Sequence, residues 1–96
     1  MLTSKQRSYL RGLANPLDPI FQIGKGGVTE SLVQAISDAL TARELLKVRM
    51  LSSVGDDIRH LAQTIANATQ AEVVQTIGHN IVLYRRNAEK PRIELP

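Results

Sequence analysis

Three glycines in four positions, Gly24-Lys25-Gly26-Gly27, separate a short apolar run, Ile20-Phe21-Gln22-Ile23, from a stretch of helical periodicity that opens at Thr29. Backbone of this kind can adopt φ > 0 and let a ligand approach closely. A helix starting at Thr29 adds N–H groups without intrahelical partners and the positive end of its dipole, and Lys25 adds a cation at the tip. The chemistry on offer is anion binding. Spacing narrows the choice of ligand. A Walker-type nucleotide loop needs Lys-Ser/Thr after its final glycine, and a dinucleotide fingerprint needs glycine where Thr29 stands. What remains is G-x-x-G, which clamps nucleic-acid backbone in some domains and serves only as a tight strand-to-helix turn in others.

Other charged residues bear on that choice. Arg7 and Arg11 sit four apart on a predicted first helix, away from the face carrying Tyr9, Leu10 and Leu13. Like charges at that spacing cost a few tenths of a kcal/mol unless they share an anion or are simply solvated. Lys47 and Arg49 form a similar pair on a strand face and read as structural. Across the chain the net charge is +3. All of that excess lies in residues 1–53, with seven basic against four acidic residues, while residues 54–96 carry five of each. With a pI near 9.7, this imbalance points to a polyanionic partner.

Catalysis finds little support. His60 and His79 lie in different predicted elements, and neither has a carboxylate or thiol at metal-ligand spacing. Asp56 and Asp57 are accounted for by the positive end of the helix they precede. No nucleophile, base and orienting group come together in the pattern, and the absence of cysteine removes thiol chemistry, disulfides and Cys-ligated metals. A non-enzymatic protein with no metal or cofactor is expected.

The elements that must position the glycine loop follow from periodicity. At 96 residues the chain makes one domain, and with only Tyr9, Phe21 and Tyr84 as aromatics its core must be aliphatic. Thr3 to Ala14 reads as a helix with a Thr3/Gln6 capping box, stopped by Pro16 and Pro19. Residues 20–23 suit a buried strand. Thr29 caps a second helix whose stripe is Leu32, Ile36 and Leu40, with Val28 stapling against Val33. Leu45 to Leu51 alternates as a strand, and a third helix runs from about Asp56 to Ala68 on Ile58, Leu61, Ala62 and Ile65. Glu72–Ile77 and Ile81–Arg86 form a hairpin around Gly78-His79-Asn80. The order α-β-α-β-α-β-β, with two right-handed crossovers, predicts a two-layer α/β domain over residues 1–86 with a mixed four-stranded sheet. Residues 87–96 lack periodicity and read as an extended tail. No apolar run approaches the roughly 18 residues of a membrane span, and the polar N-terminus lacks a signal core, so a cytoplasmic protein without a membrane role is expected.

Several segments together resemble one family. LTSKQRSYLRGLA, PIFQIGKGGVTESLVQAISDAL, ARELLKV and VVQTIGHNIVLYRR match, in order over residues 2–86, the CRM domain (chloroplast RNA splicing and ribosome maturation), most closely its stand-alone bacterial YhbY-type form. The resemblance implies a fold similar to the C-terminal domain of translation initiation factor three, with strand order 1-2-4-3. It implies binding to structured ribosomal RNA in precursors of the large subunit, hence a part in ribosome assembly, by a monomer. The family's glycine loop maps onto Gly24, Lys25, Gly26 and Gly27, followed by Thr29; its basic first helix onto Lys5, Arg7 and Arg11; and its late cation onto Arg85. Two rival readings stay open: a protein-binding adaptor that touches no RNA, and a small anion- or nucleotide-binding protein with a pocket beside the loop.

Overall fold

The computed structural model describes residues 2–51 and 57–96. Its elements are α1 (Ser4–Ala14), β1 (Phe21–Ile23), α2 (Glu30–Arg43), β2 (Leu45–Met50), α3 (Ile58–Thr69), β3 (Glu72–Ile77) and β4 (Asn80–Tyr84). The caps explain the starts. Thr3 Oγ1 accepts from the Gln6 amide at 3.1 Å while Gln6 Oε1 accepts from the Thr3 amide at 3.1 Å, completing the capping box on α1. Thr29 caps α2 by accepting from the Leu32 amide at 3.1 Å, and Asp57 caps α3 by accepting from the Arg59 amide at 2.9 Å. Asp56, expected to open α3, lies outside the described residues.

The sheet runs β1-β2-β4-β3, with β1 parallel to β2 and β4 antiparallel to both its neighbours. This is the mixed four-stranded sheet that the sequence predicts. The hairpin differs by one residue. Ile77 pairs with Asn80, so the loop is Gly78-His79 alone, and Gly78 at φ +58° takes the left-handed position that a two-residue turn demands. β4 stops at Tyr84 because, although the Arg85 amide still donates to the Glu44 carbonyl at 2.9 Å, the Glu44 amide is taken by the Leu40 carbonyl at 2.8 Å and cannot complete the rung.

Strand alternation sorts the apolar residues onto both faces. On one face Leu46, Val48, Met50, Ile81, Leu83 and Ile23 pack against Ile36 and Leu40 of α2 and Leu61, Ala62, Ile65 and Ala66 of α3. On the other, Leu45, Val74, Val82 and Tyr84 pack against Leu10 and Ala14 of α1, with Ile93 and Leu95 from the C-terminal segment. The buried face of α1 is therefore not the expected one. Tyr9 and Leu13 are 44% and 38% exposed, and the helix turns Arg7, Leu10 and Ala14 inward instead. Three-residue spacing in an 11-residue helix admits both faces, and the partner strand decides between them.

Among the described residues one charged group is fully buried between these layers. Glu44 is the only residue between α2 and β2, has φ +65°, and is 0% exposed. Its carboxylate accepts from the amides of Asn87 (2.7 Å), Arg92 (2.6 Å) and Ile93 (2.8 Å). Residues 87–96 thus contain no helix or strand but are held, and Asn87 adds an anchor of its own by donating to the Thr41 carbonyl at 3.0 Å. Desolvation pushes the Glu44 carboxyl up, but the three amides and the nearby Arg86 outweigh it, so its pKa lies below the ordinary 4.5. Burial, then the Glu44 charge, push the Tyr84 phenol above its usual range.

A depressed carboxyl pKa stabilises the fold fully above the unfolded value and loses that contribution as pH falls through the folded one. The stability attributable to Glu44 should therefore be complete above pH 4.5 and fade below it. In Glu44→Gln, one amide N–H must face a donor. Unfolding in urea at pH 7 should show a loss of about 2–3 kcal/mol, and the gap to wild type should narrow below pH 4. A variant as stable as wild type at pH 7 contradicts the anchoring role.

Candidate functional site

The glycine loop begins where β1 ends. The Gly27 amide donates to the Gly24 carbonyl at 2.9 Å, closing a turn with Lys25 and Gly26 at its centre. Gly26 does not have positive φ, which excludes a type II turn; the left-handed residue is Gly27, at φ +69°. A Cβ added at Gly26 or Gly27 meets nothing within 4 Å, and one at Gly24 would touch Leu51 at an ordinary 3.7 Å. The glycines therefore leave open space over the turn, with a conformational requirement only at Gly27. Lys25 is exposed and makes no hydrogen bond or ion pair with the described residues.

Val28 packs on the core beneath the loop and fixes the entry of α2. With the Leu32 amide bonded to Thr29 and the Val33 amide to the Thr29 carbonyl at 3.0 Å, the amides of Glu30 and Ser31 head the helix outside its ladder. Glu30 places a carboxylate on that first turn and partly offsets the positive end, which leaves Lys25 as the positive charge on the loop. The end of β2 and the β3–β4 hairpin border the same site. The Leu51 amide donates to the Ile23 carbonyl at 2.9 Å, and the Met50 amide to the His79 carbonyl at 2.7 Å.

The other sequence-predicted residues divide in two. Lys5 and Arg11 are exposed on α1. Arg7, placed by spacing on the solvent side, is half-buried, and its guanidinium donates to the carbonyls of Val73 and, at 3.1 Å, Val74. Those two carbonyls flank the register shift in β3, where a bulge disrupts the ladder, so Arg7 ties α1 to the bulge. Arg85 is similarly engaged. It donates to Ser37 Oγ (2.9 Å), the Ser37 carbonyl (2.7 Å), Thr41 Oγ1 (2.7 Å) and the Thr69 carbonyl (2.8 Å), locking α2 to the end of α3. Lys47 donates to the Leu17 carbonyl at 2.8 Å, as a structural residue should, whereas Arg49 is exposed.

The loop and α1 occupy different ends of the sheet. α1 packs over Leu45 and Tyr84, whereas the loop adjoins Met50. Five residue steps along β2 separate the two by roughly 16 Å. Three grooves lie elsewhere: one of about 380 Å³ lined by Leu13, Leu17, Ile20 and Arg43, one of about 540 Å³ by Gln6, Tyr84 and Ile93, and one of about 340 Å³ by Thr41, Arg85 and Asn87. None is lined by residues 24–29, so none is the loop-side pocket that the nucleotide-binding reading calls for.

Residues 2–85 match the model of the CRS1/YhbY (CRM) domain. Among curated proteins, the chain is 46% identical over all 96 residues to the "Probable RNA-binding protein YqeI" of Bacillus subtilis, the whole of each chain being covered. It is 39% identical over 95 residues to an RNA-binding protein of Haemophilus influenzae, covering 99% of this chain and 95% of the relative. Among solved structures it is similar to a Staphylococcus aureus protein proposed to bind RNA, at TM-score 0.85 and 53% identity over the full length of both.

The geometry of the loop separates its glycines. Gly27→Ala should cost about 1 kcal/mol, because an L-residue must hold the left-handed region. Gly26→Ala should be neutral or slightly stabilising, since no clash or positive φ opposes it. Thermal unfolding of both variants checks the pair, and equal losses would contradict the turn described.

Proposed function

Because this chain belongs to the CRS1/YhbY (CRM) domain family, we propose that it binds structured RNA, specifically ribosomal RNA in large-subunit precursors, and assists ribosome assembly as a binding protein rather than an enzyme. The observation that carries the reading is the turn at Gly24–Gly27. It is open above every glycine except for an ordinary contact at Gly24, it presents Lys25 with no partner among the described residues, and it leads into the head of α2. RNA phosphate fits there through backbone amides and a point charge, with Thr29 holding the helix start in place.

Lys5 and Arg11 supply further exposed cations on α1 for the same polyanion. Arg7 and Arg85 enter the reading differently. Their guanidinium groups are engaged by backbone carbonyls and hydroxyls, so their part is to hold α1 and α2 where the free cations can be used. The relatives named as RNA-binding proteins support RNA as the polyanion.

Charge reversal at the turn tests this directly. In Lys25→Asp/Gly26→Asp, two carboxylates replace one cation where phosphate should sit, and neither substitution meets a steric or φ penalty. Affinity for a ribosomal RNA fragment should fall at least tenfold with the melting temperature almost unmoved, because like-charge juxtaposition in a desolvated contact costs several kcal/mol. If about four phosphates are neutralised, log affinity should fall with log salt at a slope near −3, and Arg11→Ala should flatten it by about 0.7. A folded double-Asp protein with wild-type affinity moves the phosphate site away from the loop.

A further inference from the structure

We infer that the uncovered half of the sheet's second face is a nucleobase-binding surface centred on Arg49, with Gln22 and Asn80 beside it. The inference rests on the RNA-binding reading and goes beyond it, from backbone phosphate to base. The strand register aligns Gln22, Arg49, Asn80 and Ile77 in one row across all four strands. Val48, Met50 and Ile23 point into the core under α2 and α3, so alternation turns Arg49 and Gln22 to the opposite face. That is the face on which α1 sits, but α1 covers only the end built from Leu45, Val74, Val82 and Tyr84.

What is left open has a distinct chemistry. Gln22 and Arg49 are exposed, Ile77 is 56% exposed, and Ile20, whose amide donates to the Lys47 carbonyl, is 40% exposed. The Arg49 guanidinium has no partner among the described residues, in contrast to those of Arg7 and Arg85. Asn80, beside it, is half-buried, and its amide oxygen lies buried without a hydrogen-bond partner among the described residues. Neither this row nor the one above it, with Lys47, Val82 and Gln75, contains a carboxylate.

A flat surface of amides and aliphatic side chains around an unpaired guanidinium suits the face and edges of a base better than a phosphate. The guanidinium plane stacks on a base, and side-chain amides pair with base edges once the base is unstacked from its own strand. The row also adjoins the proposed phosphate site, since Gln22 precedes Gly24 by two residues, about 7 Å along β1. An RNA strand held at the turn would lay an unpaired base across β1 and β2.

The test compares two RNAs, a stem–loop with an unpaired loop and a blunt-ended duplex with the same number of nucleotides, by fluorescence anisotropy. Arg49→Lys keeps the charge and removes the plane. It should weaken binding to the unpaired loop about tenfold, as loss of one stacked base does, and leave binding to the duplex unchanged. The salt slope should stay the same, and so should the melting temperature, because Arg49 is exposed. Gln22→Ala should shift the loop RNA alone in the same direction. Arg49→Lys binding both RNAs like wild type overturns the inference, as does Arg49→Ala weakening both equally with a shallower salt slope, the signature of a phosphate contact. In either case wild-type RNA binding would stand. If wild type binds neither RNA, the RNA reading itself fails and takes this inference with it.

Discussion

The buried carboxylate of Glu44 is the constraint on which the rest of the molecule is arranged. An unpaired carboxylate taken out of water costs several kcal/mol, and a non-glycine residue at φ +65° adds about 1 kcal/mol or more. Both costs are offset by the hydrogen bonds that this conformation of the junction makes. The Glu44 amide closes the last turn of α2 on the Leu40 carbonyl at 2.8 Å, its carbonyl receives the Arg85 amide at 2.9 Å, and its carboxylate takes three amides from residues 87–93. One residue thereby ends a helix, starts a strand, terminates β4 and ties down the C-terminal segment. The segment in turn delivers Ile93 and Leu95 onto the face of the sheet that α1 leaves partly bare.

The cations divide by the same logic. Arginine presents planar, pre-organised N–H groups that can satisfy several carbonyls at once, and Arg7 and Arg85 are used that way inside the structure. Each removes backbone carbonyls from the list of unpaired groups, at the β3 bulge in one case and at the end of α3 in the other. Lys47 does the same for Leu17 with a single contact. The other nine cations are exposed; of these Lys5, Arg11, Lys25 and Arg49 lie on α1, on the turn and on the open sheet face, while Arg43, Arg59, Arg86, Lys90 and Arg92 lie elsewhere. Net charge of +3 describes neither group; the geometry separates positive charge that holds the fold from positive charge that faces outward.

Features set by near neighbours in the chain were legible in the sequence. The Thr3/Gln6 box, the Thr29 cap, the alternation of Leu46, Val48 and Met50, and the order of elements all depend on contacts a few residues apart. What the sequence hid depends on residues far away. The inward turn of Arg7 is decided by carbonyls about 66 residues later, the engagement of Arg85 by Ser37 and Thr41, and the role of Glu44 by a segment that looks featureless alone. The hairpin register moved by one residue because Asn80 pairs with both Arg49 and Ile77. At the site, the open turn was readable from its glycines, but not that Gly27 rather than Gly26 carries the positive φ. Strand period placed Arg49 on the face opposite Leu46, Val48 and Met50, but it read as structural, because period alone does not say that α1 leaves that end of the face exposed.

The open sheet face has a simple geometric origin. A helix with its side chains is about 10 Å across, and the six residues of β2 span roughly 20 Å. A single helix that crosses the strands, as α1 does from the β3 bulge to Leu45 of β2, covers about half of such a strand. α1 is drawn to the Leu45 end, where Leu10 and Ala14 find Val74 and Val82 and Arg7 finds the bulge. The C-terminal segment cannot cover the other half, because Glu44 holds it at that same end. The Gln22–Arg49–Asn80 row is thus left bare next to the glycine turn, as the half of the face that one short helix and a tethered segment do not reach. Among the described residues there is no fourth helix to place there.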